Sequence, residues 1–288
     1  MELKVIGVIG AGTMGIGLAV DLLVHGFKVV LTDISDKQLE TARSEITKGI
    51  RFVPLLNKEL PAFDAEEALR QIVFTLDIND VKDCDFIVEN VPEEFEIKEQ
   101  VYTKLDAICK KSACFGVNTS CISITRIGAL TTRPDKVLGM HFMNPVVMKS
   151  TIEVIRGEHT SEGTIDTAKV FLAGLQKEAV VVNDLPGFVS NRISHLFMNE
   201  AAFVVQDQLA EPKQVDKIFK ECFGHKMGPL ETADLIGLDT VVKSLDVLFE
   251  SFQDPKYRCC PMLRKMVHAG RMGRKSGQGF YSYTTINN

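Results

Sequence analysis

The feature that most constrains the fold is a glycine-rich turn near the start of the chain. Residues 10–15 read Gly-Ala-Gly-Thr-Met-Gly and follow directly on the apolar run at residues 5–9. That run predicts a short buried strand, and residues 16–25 predict a helix. A second strand, residues 28–33, closes on Asp33. This order is typical of a dinucleotide-binding unit, in which a strand is followed by a glycine-rich turn, a helix, and a second strand that ends on an acidic residue.

Each glycine of the turn has a predicted task. Gly10 allows the tight turn, Gly12 lets the backbone approach a pyrophosphate, and Gly15 lets helix and strand pack closely. Thr13 and Met14 lie between them, where the helix N-terminus offers N–H groups and a positive dipole end to the phosphates. We therefore assign these five residues to a cofactor site. The alternative is a glycine-rich turn that holds no ligand. The presence of both strands, the turn, the helix and the acidic residue at the expected spacing disfavours it.

Asp33 decides which dinucleotide is expected. It follows Gly15 by eighteen residues, the position from which a carboxylate accepts hydrogen bonds from the adenosine ribose. A carboxylate there repels a 2′-phosphate, and residues 34–36 contain no arginine that would bind one. The sequence therefore predicts NAD as the cofactor, and not NADP.

Strands and helices keep alternating as far as residue 183. Residues 36–72 are predicted to be mostly helical and to end near Arg70. Further helices are predicted at 93–107 and 122–130, and further strands at 73–75, 84–91, 112–118, 137–140, 151–155 and 178–183. Repeated β-α-β units predict a doubly wound, mostly parallel sheet of the Rossmann type. After residues 186–187 helical periodicity dominates, over 188–208, 212–223 and 237–249. We therefore expect an α/β domain at 1–186 and an all-α substrate and dimerisation domain at 187–288.

Composition excludes several classes of partner. The net charge of −5 gives no reason to expect nucleic acid. The seven cysteines form no C-x-x-C pair, so we expect neither a disulfide framework nor a metal site, and a reducing cytoplasm is the expected compartment. We expect no signal peptide and no membrane span, which needs about 18 apolar residues.

The apolar faces of 187–288 predict a homodimer. The glycine-rich tail, 273–281, lacks phosphate-loop spacing and is predicted to be a structural closing loop.

A histidine and a glutamate twelve residues apart carry the strongest chemical signal. Asn144-Pro145 between them interrupts any helix, and residues 151–155 are β-branched, as in a strand. His141 and Glu153 are therefore expected on two extended segments joined by a turn. The carboxylate would fix the tautomer and favour the charged ring, leaving the other nitrogen to exchange a proton. The alternative is a surface histidine beside an unrelated strand glutamate.

Two more polar residues lie where ligands tend to bind. Ser120 follows the strand at 112–118, and ligands of open α/β sheets lie at the carboxyl ends of strands. The alternative for Ser120 is an N-cap of the helix at 122–130. Asn191 follows the linker between the two predicted domains, where clefts favour small-molecule sites. The alternative for Asn191 is a local cap or an interdomain hydrogen bond.

The motifs together resemble the 3-hydroxyacyl-CoA dehydrogenase family along the whole chain. They are residues 10–15, 118–120, 141–145, 186–192, 227–231 and 273–281. The resemblance implies that His141 is the acid–base residue and that Glu153 orients it. It implies that Ser120 and Asn191 contact the substrate and the reacting oxygen. It also implies three further residues on the cofactor side: Glu93, Lys98 and Asn118. The implied reaction is NAD-dependent oxidation of a 3-hydroxyacyl thioester to the 3-oxoacyl thioester.

The helix after the ribose acid departs from the family's pattern. Family members that use free coenzyme A carry a serine and lysines there, whereas this chain has Gly49, Phe52 and Leu56, with Lys48 and Arg51 as the nearby cations. Phosphates attract positive charge. We therefore expect the thioester to hang from an acyl carrier protein, as in the family branch that oxidises glyceryl groups for polyketide extender units.

Three alternatives stay open at this point. A 3-hydroxybutyryl-CoA dehydrogenase would act on free CoA thioesters. A non-catalytic protein of the crystallin type would keep the glycines and lose the chemistry, but His141, Glu153, Ser120 and Asn191 are all present. Phosphogluconate and 3-hydroxyisobutyrate dehydrogenases share a similar first turn, but they use a catalytic lysine and would not need a histidine near a glutamate.

Overall fold

The chain divides into two units, Met1–Leu185 and Pro186–Asn288, and the computed structural model describes residues 3–56 and 63–283. In the first unit the described residues form one sheet of eight strands. These strands are β1 (Val5–Ile9), β2 (Lys28–Thr32), β3 (Ile72–Thr75), β4 (Phe86–Glu89), β5 (Cys114–Val117), β6 (Val137–His141), β7 (Thr151–Arg156) and β8 (Glu178–Asn183). Their order across the sheet is β3-β2-β1-β4-β5-β6-β7-β8.

The strand direction changes once across the sheet. The strands β1 to β6 are parallel, β7 is antiparallel to β6, and β8 is parallel to β7. Every residue of β4, β5 and β6 is buried, as expected for the centre of a sheet with apolar contacts on both faces. The predicted Rossmann-type, mostly parallel sheet is therefore confirmed.

Helices connect these strands. Those described in the first unit are α1 (Thr13–Val24), α2 (Asp36–Leu56), α3 (Ala65–Leu69), α4 (Phe95–Ile108), α5 (Ile124–Gly128) and α6 (Glu162–Gly174). The helix α1 is largely buried because it is apolar on most faces, and the chain leaves it through Gly26, at φ +82°. The prediction that residues 36–72 are mostly helical and end near Arg70 agrees with α2 and α3, which are two separate helices. The predicted helix includes residues 57–62, which lie outside the described residues.

The second unit is helical, which confirms the predicted all-α half. Its described helices are α7 (Ser190–Gln206), α8 (Pro212–Phe223), α9 (Pro229–Ile236), α10 (Leu238–Phe252) and α11 (Pro261–His268). Apolar residues from α7, α10 and α11, among them Met198, Leu245 and Leu263, form its main core. Within residues 3–56 and 63–283, no helix combines the length and the apolar character needed to cross a lipid bilayer.

Two buried aspartates hold the glycine-rich tail of the second unit. Asp234 accepts the N–H groups of Phe280 and Tyr281, each at 3.0 Å. Asp216 accepts the Tyr281 hydroxyl at 2.7 Å. A Cβ on Gly279 would clash with the Asp234 carboxylate, so this position requires glycine. These contacts agree with the prediction of a structural closing loop.

Candidate active site

The antiparallel pairing of β6 and β7 places the histidine opposite the glutamate. His141 is the last residue of β6 and pairs directly with Glu153 across the ladder, so both side chains project to the same face. The Nδ1 atom of His141 lies 3.0 Å from Oε2 of Glu153. Only 7% of the histidine side chain and 9% of the glutamate side chain are exposed. The two residues therefore form a buried pair, which excludes the alternative of an unrelated surface histidine.

Ser120 lies at the other nitrogen of the same ring. It follows β5, and its Oγ lies 3.1 Å from Nε2 of His141. A carboxylate only accepts hydrogen bonds, so we assign the proton of the neutral ring to Nδ1, which leaves Nε2 as an acceptor. The N-cap of α5 is Ser123, whose hydroxyl oxygen accepts the N–H of Arg126. The alternative of Ser120 as the cap of this helix is therefore wrong.

Glu93 fixes the turn that carries Ser120. Its Oε1 accepts the Thr119 hydroxyl at 2.5 Å and the N–H groups of Ser120 and Cys121 at 2.9 and 3.1 Å. Serine, histidine and glutamate share the connectivity of a hydrolase triad, but acyl transfer also needs free N–H donors as an oxyanion hole. Here the N–H groups of the turn already donate to Glu93. The arrangement therefore suits proton exchange with a hydroxyl group better than attack on a carbonyl.

A buried charge pair lies behind this turn. The Nζ of Lys98 is 2.8 Å from each carboxylate oxygen of Glu89 and 3.0 Å from the carbonyl oxygen of Asn118. Burial raises the pKa of the Glu89 carboxyl, and the ammonium of Lys98 opposes that shift. The Oε2 of Glu93 lies 3.8 Å from the same Nζ. The Lys98 side chain is fully buried, so it supports Glu93 and Asn118 from behind the turn.

Asn118 joins the carboxyl ends of three strands. Its Nδ2 donates to Oδ1 of Asn90, which follows β4, at 2.8 Å. Its Oδ1 accepts the N–H of Phe142, directly after His141, at 3.2 Å. Asn118 thus ties the end of β6 to the ends of β4 and β5. Asn90 was not predicted from the sequence, because it becomes a neighbour of Asn118 only when the sheet forms.

The glycine turn has the geometry that its sequence predicts. Gly10 has φ +92°, and a Cβ there would lie 2.8 Å from a backbone oxygen after β4. A Cβ on Gly15 would clash with the carbonyl oxygen of Gly10, whereas one on Gly12 would meet no described atom within 4 Å. Thr13 is exposed and Met14 is half-buried in the first turn of α1, whose N-terminus has no side-chain cap. The open space above Gly12 therefore faces uncapped N–H groups, which fits a pyrophosphate.

Asp33 is fixed beside this turn. Its Oδ2 accepts the N–H of Ala11 at 2.8 Å, and its Oδ1 accepts the N–H of Ser35 at 3.0 Å. The Nε2 of Gln38 donates to the carbonyl oxygen of Ala11 at 2.7 Å. Gln38 was not predicted from the sequence, since nothing in the local spacing relates it to the turn. With its carboxylate held next to the pyrophosphate position, Asp33 fits the predicted contact with an adenosine ribose.

Asn191 belongs to the second unit. It lies in the first turn of α7, and its carbonyl oxygen is 3.0 Å from Nδ1 of His195. Its contact with the reacting oxygen stays a prediction.

Family models match both units. Residues 5–185 match the model described as 3-hydroxyacyl-CoA dehydrogenase, NAD binding domain, and residues 187–283 match 3-hydroxyacyl-CoA dehydrogenase, C-terminal domain. The chain belongs to the 3-hydroxyacyl-CoA dehydrogenase family. This membership confirms the predicted NAD cofactor and the predicted enzyme class, an NAD-dependent dehydrogenase that acts on an alcohol.

Relatives of the dehydrogenase match along nearly their full length. The 3-hydroxybutyryl-CoA dehydrogenase of Bradyrhizobium diazoefficiens is 40% identical over 282 residues, which cover 98% of this chain and 96% of that protein. The probable 3-hydroxybutyryl-CoA dehydrogenase of Deinococcus radiodurans is 43% identical over 278 residues, with coverage of 96% and 99%. The crystal structure of (S)-3-hydroxybutyryl-CoA dehydrogenase from Ralstonia eutropha has a TM-score of 0.94 and 37% identity, with coverage of 99% and 100%.

Proposed function

We propose that this dehydrogenase interconverts a 3-hydroxyacyl-CoA thioester and its 3-oxoacyl counterpart, on short acyl chains such as 3-hydroxybutyryl. One observation carries the proposal. A single imidazole has a carboxylate 3.0 Å from one nitrogen and a serine hydroxyl 3.1 Å from the other, in a domain of the NAD-binding type. The names of the full-length relatives support the substrate class.

His141 acts as the general base in the oxidation. Its Nε2 takes the proton of the C3 hydroxyl, and the Glu153 carboxylate at Nδ1 stabilises the imidazolium that forms. The chemistry that NAD supplies when bound is acceptance of the hydride from C3. In the reduction the imidazolium returns its proton to the C3 oxygen. General acid–base catalysis of this kind contributes about 10²–10⁴-fold to the rate.

Ser120 holds the reacting oxygen beside Nε2. Its hydroxyl lies at hydrogen-bond distance from Nε2, so an oxygen that binds next to both groups can exchange its proton with the ring and accept a hydrogen bond from the serine. Three hydrogen bonds to Glu93 keep the turn in place, which limits the entropy lost when the substrate is positioned.

For the carrier of the acyl group, free coenzyme A is our proposal, because the full-length relatives are named CoA dehydrogenases. The two cations of α2 are exposed and paired, Lys48 with Glu45 at 2.7 Å and Arg51 with Glu66 at 3.5 Å. Exposed pairs contribute little, so both cations can exchange their glutamates for phosphate oxygens. The acyl carrier protein and the polyketide role stay predictions that the relatives do not support, and the homodimer and the cytoplasmic location also stay predictions.

The test is oxidation of NADH with acetoacetyl-CoA, in parallel with acyl carrier protein loaded with a glyceryl group and assayed with NAD. Saturable turnover of the CoA thioester, lost in His141→Gln and kept in His268→Gln, would support the proposal. His268 is the matched control because it is an exposed histidine at the end of α11. Turnover of the carrier protein alone would replace coenzyme A as the carrier. Folded protein that binds NADH and turns over neither substrate would contradict the proposed function.

A further inference from the structure

A buried ion pair lies beside the segment that joins the two residues of the acid–base pair. The segment is the β6–β7 loop, residues 142–150, which contains a 3₁₀ turn at Val146–Met148. The Nζ of Lys177 lies 3.1 Å from Oδ2 of Asp21, and the two side chains are only 3% and 2% exposed. Asp21 belongs to α1, and Lys177 directly precedes β8. The pair therefore links the helix that follows the glycine turn to the start of the edge strand β8.

The same ammonium group also binds the β6–β7 loop. Nζ of Lys177 donates to the carbonyl oxygen of Val146 at 3.0 Å and to that of Lys149 at 2.6 Å. Lys177 thus donates two hydrogen bonds to the loop, while its contact with Asp21 is an ion pair. The carbonyl groups lie at the start of the 3₁₀ turn and just after it. A shift of the loop along α1 would lengthen at least one of the three contacts.

The loop also packs on α1 at one small residue. Val146 is 1% exposed, and a Cβ placed on Gly17 would lie 3.2 Å from its Cγ2 atom. Gly17 stands two residues after Gly15, in the helix whose N-terminus faces the pyrophosphate position. Apolar contact alone is non-directional and permits sliding, whereas hydrogen bonds to fixed carbonyl oxygens do not. Charge and packing together fix where the loop sits on the helix.

Stability alone is a weak reason for such a pair. The desolvation of two buried charges consumes most of their attraction, and well-packed apolar residues of similar volume often serve as well or better. What an apolar pair cannot supply is a donor for the carbonyl oxygens of Val146 and Lys149. Those carbonyl groups belong to the segment that begins one residue after His141 and ends three residues before Glu153. Hydrogen bonds at this place therefore control the position of the β6–β7 loop between His141 and Glu153.

We propose that Lys177 and Asp21 are positioning residues, forming a clamp that holds the β6–β7 loop on α1 and so sets the distance from His141 to the cofactor held by that helix. The inference rests on the proposed function and adds residues that touch neither substrate nor cofactor. A misplacement of about 1 Å at a reacting centre can reduce the rate by about 10²-fold. The clamp therefore acts on hydride transfer and leaves cofactor binding unchanged.

The first test is the double variant Asp21→Leu/Lys177→Met, which removes both charges and keeps similar volumes. We expect a folded protein with a lower melting temperature, because two carbonyl oxygens lose their donor, and with NADH affinity close to wild type. We expect kcat to fall by about tenfold to a hundredfold and KM for acetoacetyl-CoA to stay within about twofold. The isotope effect on kcat, measured with NADH deuterated at the transferred position, should rise as hydride transfer becomes more rate-limiting. A purely structural pair would change the melting temperature and leave the isotope effect unchanged.

The second test uses Gly17→Ala and does not alter any charge. Alanine favours a helix more than glycine does, so the variant should fold, while its Cβ displaces Val146 by a few tenths of an ångström. If a misplacement of about 1 Å reduces the rate by about 10²-fold, a displacement of this size corresponds to a fall in kcat of about fourfold. The matched control is Gly163→Ala in α6, where a Cβ meets no described atom within 4 Å, and its kcat should equal that of wild type.

The outcomes separate this inference from the proposed function. Wild type that fails to oxidise NADH with any acyl thioester would refute the proposed function and the clamp with it. Wild-type turnover with an unchanged kcat and isotope effect in the folded double variant would overturn the clamp alone. If the double variant does not fold, an identical kcat for Gly17→Ala and Gly163→Ala overturns it.

Discussion

Replacing Glu153 by glutamine isolates the charge of the acid–base pair. The carboxylate oxygen lies 3.0 Å from Nδ1 of His141, and both side chains are more than nine-tenths buried. At an effective dielectric constant of about 20, two unit charges this close attract by roughly 5 kcal/mol. About half of the imidazolium charge is present when the proton is half transferred, so Glu153→Gln should cost about 2–3 kcal/mol in the transition state. That corresponds to roughly 30- to 150-fold in kcat.

Glutamine also offers an N–H group to Nδ1. A ring that accepts at Nδ1 carries its proton on Nε2, which is the wrong tautomer for a base, so the loss should reach the upper part of this range. Because Glu153 is not expected to touch the substrate, KM should change little. The assay is the initial rate of NAD reduction at saturating 3-hydroxybutyryl-CoA, the direction in which His141 acts as the base, with the melting temperature measured on the same samples.

The matched control is Glu178→Gln, which makes the same change on an exposed residue of the neighbouring strand β8. It should keep the wild-type kcat. If folded Glu153→Gln retained a kcat within about threefold of wild type, the charge of Glu153 would not stabilise the imidazolium, and the reasoning would be refuted.

Three further predictions concern other parts of the first unit. Glu93→Ala removes the acceptor of three hydrogen bonds to the serine turn, so kcat should fall by roughly tenfold or more, with NADH affinity measured by fluorescence as the second readout. Asp33→Asn removes the charge that repels a 2′-phosphate, so the ratio of kcat/KM for NADH over NADPH should fall by roughly tenfold. Burial alone would raise the pKa of Asp106, but hydrogen bonds from Thr132 and Arg133 outweigh it and lower this pKa. The stability that Asp106 contributes is therefore present above the unfolded-state pKa and is lost as pH falls, so Asp106→Asn should lower Tm at neutral pH and lower it less near pH 3.

Each of these has a clear contrary result. Wild-type kcat in Glu93→Ala would mean that the turn is held by other contacts. An unchanged cofactor preference in Asp33→Asn would mean that the Asp33 carboxylate does not select NAD over NADP. A Tm difference for Asp106→Asn that grows toward acid pH would reverse the sign of the pKa argument.

The nucleotide end of the site was predictable because it depends on local sequence. The conformation of the glycine turn and the position of Asp33 beside it depend on neighbouring strands, and both are recognisable within residues 5–33. The proximity of His141 to Glu153 was also predictable, since a proline-containing turn between two short strands brings their ends together.

The support behind the site was not predictable in the same way. Lys98 was expected beside the cofactor, but its burial against Glu89 depends on how α4 packs on the ends of β4 and β5. The contact of Gln38 with Ala11 and the clamp at Lys177 likewise join segments far apart in the chain. No periodicity or spacing in one sequence encodes such contacts.

Some secondary structure was missed although a signal existed. No helix was predicted in the segment that forms α6, yet Ser161 caps its N-terminus, and Ile165, Ala168 and Leu172 are buried at helical spacing. The helices α9 and α11 have eight residues each, too few for periodicity alone to distinguish them from turns. Both begin with proline in the first turn, which is the signal that would have found them.

The most direct test of the central claim follows the hydride and the base together. 3-Hydroxybutyryl-CoA deuterated at C3 is mixed with NAD and the enzyme, and the reduced cofactor is analysed by mass spectrometry. The account predicts one deuterium per reduced cofactor with wild type, and a rate at least about 10²-fold lower with His141→Gln. Reduced cofactor without deuterium, or an equal rate in the folded His141→Gln variant, would contradict it.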